Sequence, residues 1–300
     1  LDRIIWLSKG FSIFLMPFLL LLWSAAVFAE ASIEVSFIPD KIKQGDICII
    51  TIKTNPAKYK ITGNIFDKPV HFYRNPDSNV YSALIGIDLN TEPDIYNISL
   101  SFENENGETI KKEYEIIVSS ADFGTQKLTL PKEKVDLDEE TLKRVKNEEE
   151  KVASVWDIFT ERHLWKGNFI TPVEGELSND FGLRRIINDE PRNPHTGVDI
   201  TSSEGTPVYA SNHGKVVLID DHFFSGKSLF IDHGLGLFSM YFHLSEILVN
   251  NGDVINKGQL IAKVGKSGRA TGPHLHWGIR LNNARVNPAS LLNLQLEEKK

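Results

Sequence analysis

The chain offers almost no thiol chemistry. Its 300 residues contain one cysteine, Cys48, which excludes an internal disulfide. Cys48 alternates with Ile50 and Ile52, the pattern of a buried strand position, so it reads as a packing residue and not as a catalytic thiol. Basic charge is also short: 33 Lys and Arg against 40 Asp and Glu give a formal net charge of −7. That acidic balance argues against nucleic acid as a partner. An apolar run near membrane-spanning length occurs only within the first 29 residues, and long helical patterns are missing from the last 130 or so.

The apolar run is informative because of its flanks. Arg3 and Lys9 precede Phe11 to Trp23, and the small-residue stretch Ser24-Ala25-Ala26-Val27-Phe28-Ala29 follows. This is the layout of a secretory signal peptide over residues 1–29, with cleavage after Ala29 leaving Glu30 as the first mature residue. An uncleaved anchor is the alternative, and either way the remainder is exported to the periplasm or cell-wall space. After cleavage no membrane contact is expected. That the first residue is Leu fits an alternative start codon or a missing beginning.

From residue 30 to 120 short alternating runs dominate, among them Ile33-Glu34-Val35-Ser36-Phe37, Asp46-Ile47-Cys48-Ile49-Ile50-Thr51-Ile52 and Tyr96-Asn97-Ile98-Ser99-Leu100-Ser101-Phe102. Turn-rich segments separate them. About seven strands in about 90 residues predict an immunoglobulin-like β-sandwich without the Cys-Trp-Cys signature. Such a unit serves as a spacer or packing module, or as a targeting or regulatory one. Residues 121–166 read as a connector followed by a charged helix running to about His163, capped by Asp136 or Asp138, with Leu142, Val145, Val152, Val155 and Ile158 as a thin apolar stripe. Residues 167–293 are strands punctuated by glycines, a β-rich barrel-sandwich in which Gly205-Thr-Pro-Val with Gly214-Lys-Val is echoed by Gly252-Asp-Val with Gly258-Gln-Leu. Residues 294–300 form a polar tail. The fold class is thus mainly β.

The chemistry concentrates in that last large segment. His274 and His276 share one face of a strand entered from Gly272-Pro273, about 6.6 Å apart along the backbone. Both can reach one metal, or one can bind while its neighbour works beside it. His195 and Asp199 would lie about 13 Å apart if extended, so sharing an ion requires the chain to curl, which Pro194 and Gly197 permit. These nitrogen and oxygen donors are the ones zinc prefers. His243 stands in a third aromatic run, Tyr241-Phe242-His243-Leu244. His233, in Asp232-His233-Gly234, reads as a structural turn residue with a supporting role to the site possible, and His71, His163, His213 and His222 have no motif context. Arg184 and Arg185 could hold a peptide carboxylate or simply be solvated. Asn97-Ile98-Ser99 matches a glycosylation acceptor by chance.

In their order, His195-x-x-x-Asp199, Tyr241-x-His243-Leu244 and Gly272-Pro273-His274-Leu275-His276 resemble the lysostaphin-type, LytM-like zinc endopeptidases that cut peptidoglycan cross-bridges. Phe181-Gly182-Leu183-Arg184-Arg185, Gly205-Thr206-Pro207-Val208, Gly252-Asp253-Val254 and Lys257-Gly258-Gln259 extend the likeness over about residues 168 to 290. The resemblance implies that His195, Asp199 and His276 bind Zn2+ and that His243 and His274 handle the attacking water and the developing charge. It also implies the duplicated-hairpin fold and peptidoglycan peptide bridges as substrate, with D-alanyl to diamino-acid cross-links preferred over polyglycine. The chain has no His-Glu-x-x-His pair, so histidine must supply the base. The alternative is a wall-binding module or an activator of another peptidoglycan hydrolase; retention of all five residues argues against it. Oligomeric state is not legible.

Overall fold

A computed structural model describes residues 32–55, 58–74, 78–129 and 137–296. The expected leader and Asp136 lie outside these residues. Within them the protein is mainly β.

The described residues between 32 and 119 form nine strands, more than the expected seven because three are only two or three residues long. A four-stranded sheet runs Ser32–Ile38, Ile47–Asn55, Val80–Gly86, Tyr73–Arg74, and a five-stranded sheet runs Ile42–Lys43, Thr109–Ser119, Asp94–Asn104, Tyr59–Ile65, Lys68–Val70. Alternation explains the core between them: Cys48, Ile50 and Ile52 from one sheet meet Ile98, Leu100, Phe102 and Ile116 from the other. Burial pushes the Cys48 thiol up to about 12, so the thiolate needed for reactivity does not form.

The unbroken run Ile47-Cys48-Ile49-Ile50 has a second cause. Ile47 and Ile49 point the other way and, with Leu84 and Leu89, enter the core of the carboxy-terminal half beside Val198, Trp277 and Val286. A strand buried on both faces must be apolar at every position. Polar contacts fasten the same seam: Arg285 grips Asp88 through Nε and a terminal nitrogen at 2.9 and 2.6 Å, Ile47 N donates to Ser290 Oγ at 2.9 Å, and Asn287 N donates to Gly45 O at 2.7 Å. The first sheet pair is therefore joined to the second half through a shared core.

The carboxy-terminal half is built on a nine-stranded antiparallel sheet whose central path is Gly197–Thr201, His274–Leu281, Leu237–Ile247, Gly226–Asp232, Gly214–His222, Val254–Ile255. The two halves of the sequence echo pair with each other, Val208 with Ala262 and Gly214 with Ile255. The connector contributes a strand of its own: Thr125–Leu128 runs parallel to Arg184–Ile187.

Asp138 caps the helix Glu139–Val155, its side chain accepting from Thr141 N at 2.7 Å. The helix stops at Val155, short of His163, because the following segment is stitched to the turn at His233: Leu164 N donates to His233 O and Leu235 N to Thr160 O. Of the expected stripe, Val155 is buried and Val152 and Ile158 pack beside it, whereas Leu142 is exposed. The tail is not wholly polar, since Leu294 and Leu296 are buried, and residues 297–300 lie outside the described part.

Candidate active site

Strand pairing does much of the assembly. Asp199 sits directly opposite His276, and Thr201 opposite His274, on the antiparallel strands Gly197–Thr201 and His274–Leu281. Period-two alternation puts Asp199, His274 and His276 on one face of the sheet, while Val198, Ile200, Leu275 and Trp277 go into the core behind. Gly197 is required here: a Cβ at that position would lie 2.5 Å from Trp277 O and 2.6 Å from His276 Nε2.

His195 arrives from the preceding loop, held by backbone bonds to the segment before it, Gly182 N to His195 O at 2.7 Å and His195 N to Leu183 O at 3.1 Å. This brings three atoms together in a triangle. His195 Nε2 lies 2.9 Å from His276 Nδ1 and 3.2 Å from Asp199 Oδ1, and the third side, His276 Nδ1 to Asp199 Oδ1, is 2.9 Å.

Hydrogen bonds alone serve such a triangle badly. The carboxylate brings no proton, and the edge between two imidazole nitrogens holds at most one. Donors held about 2.0–2.2 Å from a tetrahedral zinc are roughly 3.3 Å from one another, so the triangle has the right size and the right N, N, O composition for a divalent metal. The site's field asks for a cation as well. Burial opposes charge on His195, yet Asp180 and Asp199 outweigh it and raise its pKa to about 9. Burial likewise opposes the Asp199 carboxylate, but His195 and His276 hold it far below the usual range. His195, Asp199 and His276 could hold a metal.

Sequence reasoning missed Asp180. It lies on the far side of His195, whose Nδ1 is 3.2 Å from Asp180 O and 3.3 Å from the carboxylate. Asp180 is in turn bonded to Ser178 Oγ, which accepts from Asp199 N at 2.8 Å. The only sequence signal was its place just before Phe181-Gly182.

His243 and His274 stand beside the triangle, their rings 4.7 Å apart between centroids. His274 Nε2 is 3.8 Å from Asp199 Oδ1. Alternation alone would turn His243 away, because its neighbour Phe242 is the residue paired with His276. His243 instead adopts a left-handed backbone, φ +61°, where its strand leaves His274–Leu281 and takes Leu260–Val264 as partner. That conformation costs about 1–3 kcal/mol in a non-glycine residue and marks sites where an aim matters more than local comfort. In the neutral form each imidazole spends its Nδ1 proton on a backbone carbonyl, His243 on Ser267 O and His274 on Gly272 O, both at 2.9 Å. Each Nε2 is then left with a free lone pair. Burial, aided by the neighbouring histidines, lowers the His243 pKa to about 4.

Phe242 stacks on the His276 ring, 5.4 Å between centroids and 3° from parallel. It also belongs to the cluster of Phe230, Phe238 and Met240 covered by Val155 of the charged helix and by Trp156, the residue that caps its end. The helix thus buttresses the site face, pinned by Lys151 to Asp220 at 2.8 Å and Phe223 N to Glu148 at 2.9 Å.

Residues 193–288, which carry all five of these side chains, match the model of peptidase family M23. A solved structure from Pseudomonas aeruginosa assigned to the same family superposes with a TM-score of 0.64 at 31% identity, over 84% of this chain and 95% of that one. The chain belongs to peptidase family M23. Among curated relatives of the M23 domain are the peptidoglycan DD-endopeptidase ShyA of Vibrio cholerae and the DD-carboxypeptidase/endopeptidase Mpg of Neisseria meningitidis. ShyA is 40% identical over 119 residues, 39% of this chain and 28% of that protein. Mpg is 38% identical over 128 residues, 42% of this chain and 30% of that protein. The chain thus spans less than a third of the length of these curated relatives.

The remaining histidines fall elsewhere. His233 is fully buried on the opposite side of the sheet, bonded to His213 O and Ser239 Oγ, both at 2.7 Å. His71 and His163 pack on Phe159 and Trp165, and His222 lies beside Ser225. Arg184 is exposed, whereas Arg185 is half-buried.

Proposed function

We propose that this protein is an exported, zinc-dependent endopeptidase that hydrolyses peptide cross-bridges of peptidoglycan. The observation that supports this most is the N, N, O triangle of His195, Asp199 and His276 with two lone-pair-bearing imidazoles, His243 and His274, beside it. Three protein donors leave a coordination position open, the mark of a catalytic rather than a structural site. Lewis acidity at that point, polarising the scissile carbonyl and bringing a water's pKa toward about 7, is what the bound metal supplies.

The residues do the rest. As water oxygen joins the carbonyl carbon, a proton is released, and the Nε2 atoms of His243 and His274 are the bases within reach. The same pair returns the proton to the departing nitrogen as the C–N bond breaks. Asp180 holds His195 in the tautomer that directs Nε2 to the metal.

In this reading the amino-terminal unit is an immunoglobulin-like sandwich tied by a linker helix to the peptidase domain, and the substrate is a D-alanyl to diamino-acid cross-link in the periplasm or wall space. The names of the curated relatives favour that bond. Export rests on the leader sequence. The test is purified protein with measured zinc content acting on isolated cross-linked muropeptides. Cleavage of the cross-link that stops on chelation is expected; a zinc-free protein that binds sacculi without cutting them would establish the activator alternative instead.

A further inference from the structure

The segment of residues 265–274 reaches both imidazoles that stand beside the triangle. Gly265 O accepts from His274 N at 3.2 Å, and Gly272 O faces His274 Nδ1 at 2.9 Å. Between them, Ser267 O accepts from His243 Nδ1 at 2.9 Å. The Ser267 side chain makes two further bonds, both to the backbone of the sheet. Lys227 and Leu244 are partners across the strands Gly226–Asp232 and Leu237–Ile247. Ser267 Oγ accepts from Lys227 N at 2.9 Å and donates to Leu244 O at 2.8 Å, so one hydroxyl bridges the two strands.

The bridge sits at a defect in the ladder. Lys227 pairs with Leu244 but Leu229 pairs with Tyr241, so Phe242 and His243 together oppose the single residue Ser228. A bulge of this kind leaves a residue without its ladder bonds and re-aims a side chain. It contains His243 in its left-handed backbone, a conformation that persists only where the surroundings over-determine it. Three bonds supply that constraint. His243 N donates to Ser225 O at 2.9 Å, and Ser267 makes the other two, to the His243 ring through its carbonyl and to the Leu244 carbonyl through its hydroxyl. The fit is close: a Cβ on Gly226 would run into the Ser267 hydroxyl and carbonyl carbon.

Resting on the endopeptidase reading above, we propose that Ser267 is the positioning residue for the base His243: its hydroxyl fastens the loop to the bulge, and its carbonyl holds the ring proton on Nδ1, keeping Nε2 bare. Removing the hydroxyl should therefore be felt at a ring it does not touch. Lys227 N and Leu244 O lose their shared partner, and the carbonyl that fixes the tautomer is no longer tied to the strand carrying the ring. An imidazole that places its proton on Nε2 has no lone pair there and cannot accept the proton that hydrolysis releases. His274 takes its carbonyl from Gly272, outside the Ser267 bonds, so its tautomer stays as it is.

The test compares the whole chain as wild type, as Ser267→Ala and, for a control, as Ser245→Ala, whose lost hydroxyl bonds Val264 O at 2.8 Å and not the His243 ring. Nitrogen-15 spectra of the histidine rings are recorded above neutral pH, with His243 assigned by its absence in His243→Ala. Wild type and Ser245→Ala should show His243 with its proton on Nδ1 alone. Ser267→Ala should show a mixture of the two tautomers at His243, with the His274 signals and the zinc content unchanged. On cross-linked muropeptides Ser267→Ala should lose about 10- to 100-fold in kcat at constant KM, the scale of a misplaced catalytic group. An unchanged His243 tautomer or an unchanged kcat in Ser267→Ala, or the same losses in Ser245→Ala, would overturn the assignment. If wild type cuts no muropeptide, the endopeptidase reading falls, and the tautomer alone decides whether Ser267 positions the ring. Should thermal unfolding show that Ser267→Ala does not fold, Ser267→Cys, with a weaker donor and acceptor in the same place, is read against the same outcomes.

Discussion

The two faces of the central sheet each carry buried histidines, and they use them in opposite ways. On one face His233 gives both ring nitrogens to fixed partners, and the chain continues from Ser239 to the Tyr241 hydroxyl at 3.0 Å and on to Ser211 at 2.9 Å. From His233 to Ser211 each ring nitrogen and hydroxyl of this chain has a partner, so the network rigidifies the core and has no capacity left for a ligand. On the other face His195 and His276 aim nitrogens at each other and at the same carboxylate oxygen, a convergence that suits a shared cation. Burial is similar in both places. What separates a site from a strut is whether the lone pairs are already used.

The largest effect should come from removing a corner of the triangle. His195→Ala, Asp199→Ala and His276→Ala are each expected to strip zinc from the protein and abolish hydrolysis of muropeptides. Elemental analysis after dialysis decides: full zinc in any one of them removes that residue from the ligand set and weakens the contrast between the faces. Next in size, His243→Ala and His274→Ala should keep the metal and the fold yet lose turnover by roughly 10²-fold or more, the range of general acid–base groups. A variant with unchanged kcat would show that its imidazole is a bystander.

The strut face has its own signature in pH. Burial lowers the His233 pKa to about 4 against an ordinary value of 6.5. Above 6.5 the ring is neutral folded and unfolded, and it adds nothing. As pH falls from 6.5 to 4 the unfolded chain takes up a proton that the native state refuses, so stability is lost across that window, by on the order of 3 kcal/mol, and the loss levels off below it. His233→Gln should flatten this part of the stability curve relative to wild type. Urea unfolding of both proteins in chelator between pH 7 and 4 measures it, and parallel curves would mean that His233 is protonated in the fold.

How far the sequence reveals this contrast depends on what sets each position. His274 and His276 are legible as a pair because strand alternation alone puts them on one face. Asp138 is legible as a cap by its place before Glu139 and Glu140. The closeness of His195 to Asp199 is not, since it comes from long-range backbone bonds to Gly182 and Leu183. His243 misleads a reader of alternation, because only its left-handed backbone turns it toward the site. Ile47 and Ile49 look like ordinary strand residues, and nothing local says that their outward face is the core of the other half. The end of the charged helix was missed for the same reason: the bonds that stop it come from the turn at His233.

The smallest effect probes the border between the two uses of histidine. His195 has one nitrogen in the triangle and the other fixed near the Asp180 carboxylate at 3.3 Å, so it is half strut and half ligand. Removing the carboxylate leaves every donor of the triangle in place but frees the ring to rotate and takes away the charge that keeps it electron-rich. Partners of this kind are worth about 10- to 100-fold in metal affinity. Asp180→Ala should therefore bind zinc more weakly by that factor, with Asp180→Asn in between because the amide oxygen still accepts from Nδ1–H. Competition with a chelator of known affinity reads the change without reference to activity. An unaltered affinity in Asp180→Ala would mean that the backbone carbonyl of residue 180, itself 3.2 Å from Nδ1, holds the ring without help. The border between strut and ligand would then be drawn by main chain alone.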